Sequence, residues 1–394
     1  MSAEPPARLL DITRLVSRVG RGPLTGIDRV ERAWMRWFSA GTEPFFLLCG
    51  TPGGGAMLLP GHAAATVDDW LGWPDGRPPP RLRIAGALGA RLAVLARLAP
   101  LALRRGRRGQ VLAGLPAGST YLNVGHANLT ALAAAGGAGL RRLVMVHDTI
   151  PLDFPQFASD PEGFRRRLAL VARHADRVIC PSAAAAADVA RWCATFGRVP
   201  PIAVAPLGIE PAAPGPIPAE LRRFTGGFVA VGTVEPRKNH GLLLDVWDRL
   251  AAAMAEPPPL LIIGSPGWRN AAVLGRIARL PGGGPVRLAT GLGDGAVSAL
   301  VASARALLMP SLAEGFGLPV AEAAALGTPV VCAPLPVYRE ILGDIPVYVD
   351  PADLYSWTET IRTLAEQGFR RDSGTRRPDL PGWEDHFNRV SNMA

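Results

Sequence analysis

Residues 304–333 read ARALLMPSLAEGFGLPVAEAAALGTPVVCA. The apolar run at 304–311 stops at a Gly-rich loop, a helical stretch of small residues begins near Leu318 or Pro319, and a second apolar run follows at 328–333. Short apolar runs bounded by turn residues read as buried strands, and proline is tolerated in a helix's first turn. Strand, loop, helix and strand in that order make one step of a parallel sheet covered by helices.

The step recurs on both sides. Strand-like runs lie at 226–233 (GGFVAVGT), 259–265, 285–290 and 346–350, each followed by a plausible helix, so this half is expected to be a doubly wound sheet. Upstream, ARLLDI (7–12), EPFFLLC (43–49), STYLNV (119–124), RRLVMVHD (141–148), DRVICPS (176–182) and PIAVAPLG (201–208) alternate with helical patterns, the first from about Gly26. PAAPGPIPAE (211–220) breaks both periodicities and reads as a linker. The expectation is α/β: an N-terminal Rossmann-like domain over 1–210 with a basic helical insertion at about 80–110, a second over 211–370, and a linker and helix at 371–394 that could pack back on the first. No repeat is evident, which excludes solenoids and propellers.

Composition sets further bounds. At 394 residues the chain exceeds one usual core, and 48% apolar with 19% charged residues can fill two. The formal charge of +9 favours anionic partners. It is concentrated at 81–108, where eight Arg and no acid occur. This stretch reads either as an amphipathic helix lying on an anionic membrane or as an inserted hairpin packed on the first domain. Aromatics are 6% and not interleaved with the basic residues, against nucleic-acid binding. Cys49, Cys180, Cys193 and Cys332 form no C-x-x-C pair. With no secretory signal and no apolar span, a cytoplasmic protein is expected, with at most peripheral contact on the inner face of the cell membrane.

Two constellations carry chemistry. In EGFGLPVAE, Glu314 precedes Gly315, Phe316, Gly317 and Leu318 at a helix start, and Glu322 lies one turn inside. Backbone N–H groups there can receive a phosphate or sugar oxygen, and the glycines permit close approach. One acid could face a sugar and the other a ribose diol; an ordinary strand–turn–helix with a capping Glu would read the same. In VGTVEPRKNHG, Gly232 and Thr233 end a buried strand and Glu235, Pro236, Arg237, Lys238 and Asn239 follow. Adjacent cations at the carboxyl edge of a parallel strand suit a diphosphate, although solvated Arg-Lys turns are common.

Together, VGTVEPRKN and PSLAEGFGLPVAEAAALGTPVV resemble the retaining family-4 (group 1) glycosyltransferases of GT-B architecture. TGIDRVERAW, VHDTIPLDFP, CPSAAAAADV and APLGIE match in the family's order, and the resemblance weakens at 51–117. It implies two Rossmann-like domains facing across a cleft. It also implies that Arg237 and Lys238 bind donor phosphates, Glu322 the ribose, and Glu314 with the backbone of 315–318 the sugar and diphosphate. His147 matches a position beside the transferred sugar, where a structural histidine is the alternative. Thr25 and Gly26 could face the phosphates or simply cap a helix; His126 reads as structural, and His174 and His240 as incidental surface positions.

The resemblance implies metal-independent retaining transfer, and neither DGAV nor VDPAD forms a D-x-D cation site. No cofactor is expected beyond the nucleotide-diphosphate sugar. The resulting expectation is transfer of a hexose, for example mannose from GDP-mannose, to a glycan or lipid-linked acceptor in bacterial surface polysaccharide or lipopolysaccharide synthesis. A same-fold nucleotide-sugar epimerase or hydrolase and a non-catalytic glycan-binding subunit are the alternatives.

Overall fold

A computed structural model of the chain describes residues 5–72, 86–367 and 379–391. Its contacts divide it into two units: Met1–Thr149 with Asp160–Leu207 and Trp383–Ala394, and Ile150–Ser159 with Gly208–Gly382. The segment Ile150–Ser159, expected in the first domain, groups with the second unit. Its backbone explains this, because Phe157 O accepts from the Trp268 indole at 2.8 Å and Gln156 O from Arg269 Nη1 at 3.2 Å.

The first unit is built on β1 (Arg8–Asp11), β2 (Phe45–Gly50), β3 (Gly55–Pro60), β4 (Arg104–Arg107), β5 (Thr120–Asn123), β6 (Arg141–Met145), β7 (Arg177–Cys180) and β8 (Ile202–Val204). Their spatial order is β4-β3-β2-β1-β5-β6-β7-β8. The pairs among β1, β2 and β5 to β8 are parallel, whereas β3 pairs antiparallel with both β2 and β4 and so runs against the other seven strands. This corrects the reading of 80–110 as wholly helical. Gly86–Leu98 is helix, but Arg104–Arg107 is an exposed edge strand. A row of arginines suits that place, since charge on an edge discourages further strand pairing. Residues 81–85 and 371–378 lie outside the described residues.

The second unit contains β9 (Phe228–Val231), β10 (Leu260–Ile263), β11 (Val286–Ala289), β12 (Ala306–Met309), β13 (Val330–Cys332) and β14 (Val347–Tyr348). All run parallel in the order β11-β10-β9-β12-β13-β14. The order reverses between β9 and β12, the place where such sheets open a crevice at their carboxyl ends. Leu260–Ile263 and Ala306–Met309 are buried throughout, as strands covered on both faces must be.

The C-terminal helix Trp383–Ser391 belongs to the first unit. Phe387 stacks on Trp37 at 4.6 Å and meets Trp34 edge-on at 5.6 Å. His386 is the polar centre of this cluster: Nε2 accepts from the Trp34 indole at 3.0 Å and Nδ1 donates to Pro206 O at 3.0 Å. All four cysteines are free and buried.

Candidate functional site

After β9, Pro236 starts a single 3-10 turn, Pro236–Lys238, and Asn239 closes it at φ 53°. Proline presets the first torsion and asparagine tolerates the left-handed one, so Arg237 and Lys238 are delivered at the strand end before helix His240–Ala253. After β12, Gly317 adopts φ +93° and caps helix Leu318–Ala325. A Cβ there would stand 2.3 Å from Tyr338 Cε1, so both torsion and space require glycine. The two loops are joined by Leu312 N donating to Arg237 O at 2.7 Å.

Side chains 76 and 77 residues apart converge across this seam. Lys238 Nζ lies 2.5 Å from Glu314 Oε1, and Arg237 Nη1 lies 2.7 Å from Glu314 Oε2 and 3.1 Å from Ala313 O. Arg237 Nε also meets Glu235 Oε1 at 2.6 Å. The Lys238 and Glu314 side chains are each 7% exposed and that of Arg237 is 24%, so Arg237 is the more accessible cation. Burial opposes the charge on Glu314, but Arg237 and Lys238, with the hydrogen bond from Lys238, outweigh it and hold the carboxyl at about 2. Burial likewise pulls Lys238 below the ordinary lysine range against the pull of Glu314. It pushes Glu235 up, with Arg237 and Lys238 opposing.

The other expected donor residues of this unit surround the cluster. Gly232, at φ +150°, is crossed by the Lys238 stem, which a Cβ would approach to 3.1 Å. Thr233 follows it, and Gly315 and Phe316 continue from Glu314 into the cap. Glu322 is half-buried on the capped helix. His240 is buried rather than superficial, with burial pulling its imidazole down to about 4.

Thr25, Gly26 and His147 lie in the first unit. Thr25 is the N-cap of helix Gly26–Ala40. Its N–H and hydroxyl donate to buried Asp28 at 2.8 and 2.7 Å, and Arg14 Nε donates to the same carboxyl at 2.8 Å. That arrangement is a capping box. His147 follows β6 and donates from Nε2 to Val124 O at 2.8 Å, while His126 after β5 donates from Nε2 to Met145 O at 2.6 Å. The two bonds cross as a reciprocal strap, with the rings 5.6 Å apart. Burial depresses both imidazoles, to about 4 for His147 and about 3 for His126, so both are neutral at pH 7.

Sequence reasoning missed a buried acid network beside this strap. Asp11 accepts from Thr13 Oγ1, Tyr121 Oη and Asn128 Nδ2 at 2.5, 2.7 and 2.7 Å. Glu31 is fully buried, and burial and then Asp11 push its carboxyl well above the ordinary range. The missed signal was helical spacing: Asp28 and Glu31 share the buried stripe of Trp34 and Met35.

Residues 227–375 match the family model "Glycosyl transferases group 1". The match spans less than half of the chain and marks this stretch as similar to a group 1 glycosyltransferase domain. It contains β9–β14 and every member of the Arg237–Lys238–Glu314 cluster. The serotype-specific mannosyltransferase WbdA of Escherichia coli is 32% identical over 253 residues, which is 58% of this chain and 31% of WbdA. The chain thus spans about a third of the length of that relative. The O-antigen chain mannosyltransferase B of E. coli is 33% identical over 39% of this chain and 40% of its own. MMP alpha-(1->4)-mannosyltransferase of Mycolicibacterium hassiacum is 30% identical over 55% and 52%. Among solved structures, Anabaena HepE in complex with UDP and glucose superposes with a TM-score of 0.66, covering 99% of both chains at 16% identity. Sucrose-phosphate synthase of Thermosynechococcus elongatus gives 0.61 over 99% and 98% at 17% identity. The fold is therefore GT-B.

Proposed function

We propose that this protein is a retaining hexosyltransferase of bacterial surface polysaccharide synthesis, passing a hexose from a nucleotide-diphosphate sugar to a glycan or lipid-linked acceptor. The observation that carries the reading is the meeting of Arg237, Lys238 and Glu314 at the point where the second sheet reverses its strand order. The mannosyltransferase names of the relatives support mannose as the hexose, and GDP-mannose is the proposed donor.

In this reading Arg237 and Lys238 neutralise the charge that develops on the departing diphosphate, the role a preorganised cation serves best. Glu314 and the amides of 315–318 hold the sugar, Glu322 holds the ribose, and Gly232 and Thr233 border the pyrophosphate. His147, Thr25 and Gly26 are assigned to the transferred sugar and phosphates on the resemblance alone. The diphosphate oxygen takes the acceptor proton, so no carboxylate pair need flank the bond as in a retaining glycosidase. Transfer should then persist in EDTA, and an α-linked donor should give an α-linked product by NMR.

The basic strand Arg104–Arg107 and exposed Leu103 support peripheral contact with anionic lipid. Liposome co-sedimentation with and without 81–108 tests it. Among the described residues no helix is long and apolar enough to cross a membrane.

The test of function is a screen of GDP-, UDP- and dTDP-sugars for thermal stabilisation, followed by transfer assays with the best binder. One donor should raise the melting temperature and be consumed only with acceptor. Equal consumption without acceptor would indicate a hydrolase instead.

A further inference from the structure

Glu235 immediately precedes the turn that carries the two cations, and the family resemblance gives it no role. Its side chain is 2% exposed, with Oε1 against Arg237 Nε at 2.6 Å. Oε2 is buried without a hydrogen-bond partner, and the one polar contact of this side chain among the described residues is Arg237. A buried carboxyl with an oxygen unsatisfied costs stability, and an apolar side chain of similar size would serve packing at least as well. The charge therefore has its effect on Arg237. A guanidinium is planar, and here Glu235 holds its Nε edge while Glu314 Oε2 and Ala313 O hold Nη1. Two held edges define the plane and direct the remaining donors.

The cluster's formal charges cancel, two cations against two carboxylates. Its hold on a diphosphate then depends on where the N–H donors point more than on net charge. We propose that Glu235 is a positioning residue that aims Arg237 at the donor diphosphate, while Lys238 is held independently by Glu314. The inference rests on the reading of this cluster as the donor site.

Calorimetric titration with GDP, UDP and dTDP as probes tests it, on wild type, Glu235→Ala, Glu235→Gln, Arg237→Ala, Lys238→Ala and the two doubles that combine Glu235→Ala with each cation change. Glu235→Ala should weaken the nucleotide that binds wild type by roughly tenfold, the scale on which outer partners tune a ligand group. Glu235→Gln should weaken it less, because its amide oxygen still accepts from Nε, and this near-isosteric variant serves if the alanine form does not fold. In the Arg237→Ala background the loss from Glu235→Ala should vanish; in the Lys238→Ala background it should persist. An equal loss with and without Arg237 would overturn the proposal and leave Glu235 a purely structural acid. So would unchanged affinity in both Glu235 variants while Arg237→Ala binds weakly. If no nucleotide binds wild type, or neither cation change weakens binding, the donor-site reading itself falls and the inference with it.

Discussion

Lys238 and Glu314 illustrate how a buried ion pair can be kept for use rather than for stability. Each side chain is 7% exposed, and the pair gains much of its attraction only by losing hydration. Removing one partner strands the other in a poorly solvated pocket. Lys238→Ala and Arg237→Ala should each lower transfer about 100-fold, the order found when one donor to a developing anion is removed. Initial-rate assays at saturating acceptor check this. Glu314→Gln keeps the shape but leaves both cations short of counter-charge. It should impair turnover while mass spectrometry finds no glycosyl adduct on the protein; an adduct would show that a carboxylate attacks the sugar. Among these residues the sequence was a good guide, since EPRKN and EGFGLP each announce charge or glycine at a strand end. Glu235 could not be distinguished there, because only the fold shows which neighbour its carboxyl faces.

At the scale of elements, Gly317 is the joint on which the donor loop turns. Alanine would have to hold φ near +93° and displace the Tyr338 ring, an outlay of a few kcal/mol. Gly317→Ala should lower the melting temperature and abolish nucleotide stabilisation, both read in one thermal scan. The C-terminal helix Trp383–Ser391 makes a second element-scale prediction. Its removal uncovers Trp34 and Trp37 and leaves the Trp34 indole N–H without His386, so truncation at 382 should sharpen proteolysis of the first unit and promote aggregation. The parallel strands were legible because apolar runs bounded by Gly, Pro and Asp need no partner to be recognised. The pair β3 and β4 was not, since the arginine-rich β4 follows a helix so closely that its charge reads as a continuation of that helix.

At the scale of the whole molecule, four histidines among the described residues, buried His147, His240 and His386 and half-buried His126, have imidazoles drawn down to between about 3 and about 4 mainly by loss of hydration. Above pH 6.5 both folded and unfolded chains hold these rings neutral. Between about 6.5 and 4 the unfolded chain takes up protons that the folded one refuses, so stability falls as pH falls. Glu31 and Asp11, raised by burial, act in the opposite sense and partly offset this. Glu314, held at about 2, adds a loss only below about 4.5. The melting temperature should drop by roughly 5 °C or more from pH 7 to pH 5; a flat profile would show that these rings are not buried. The central claim is that residues distant in sequence hold one activated sugar. Its most direct test is a crystal structure with the sugar nucleotide that stabilises the protein best. The diphosphate should lie within hydrogen-bond distance of Arg237 and Lys238, and the ribose on Glu322. A sugar nucleotide bound elsewhere, touching neither Arg237 nor Lys238, would contradict the central claim.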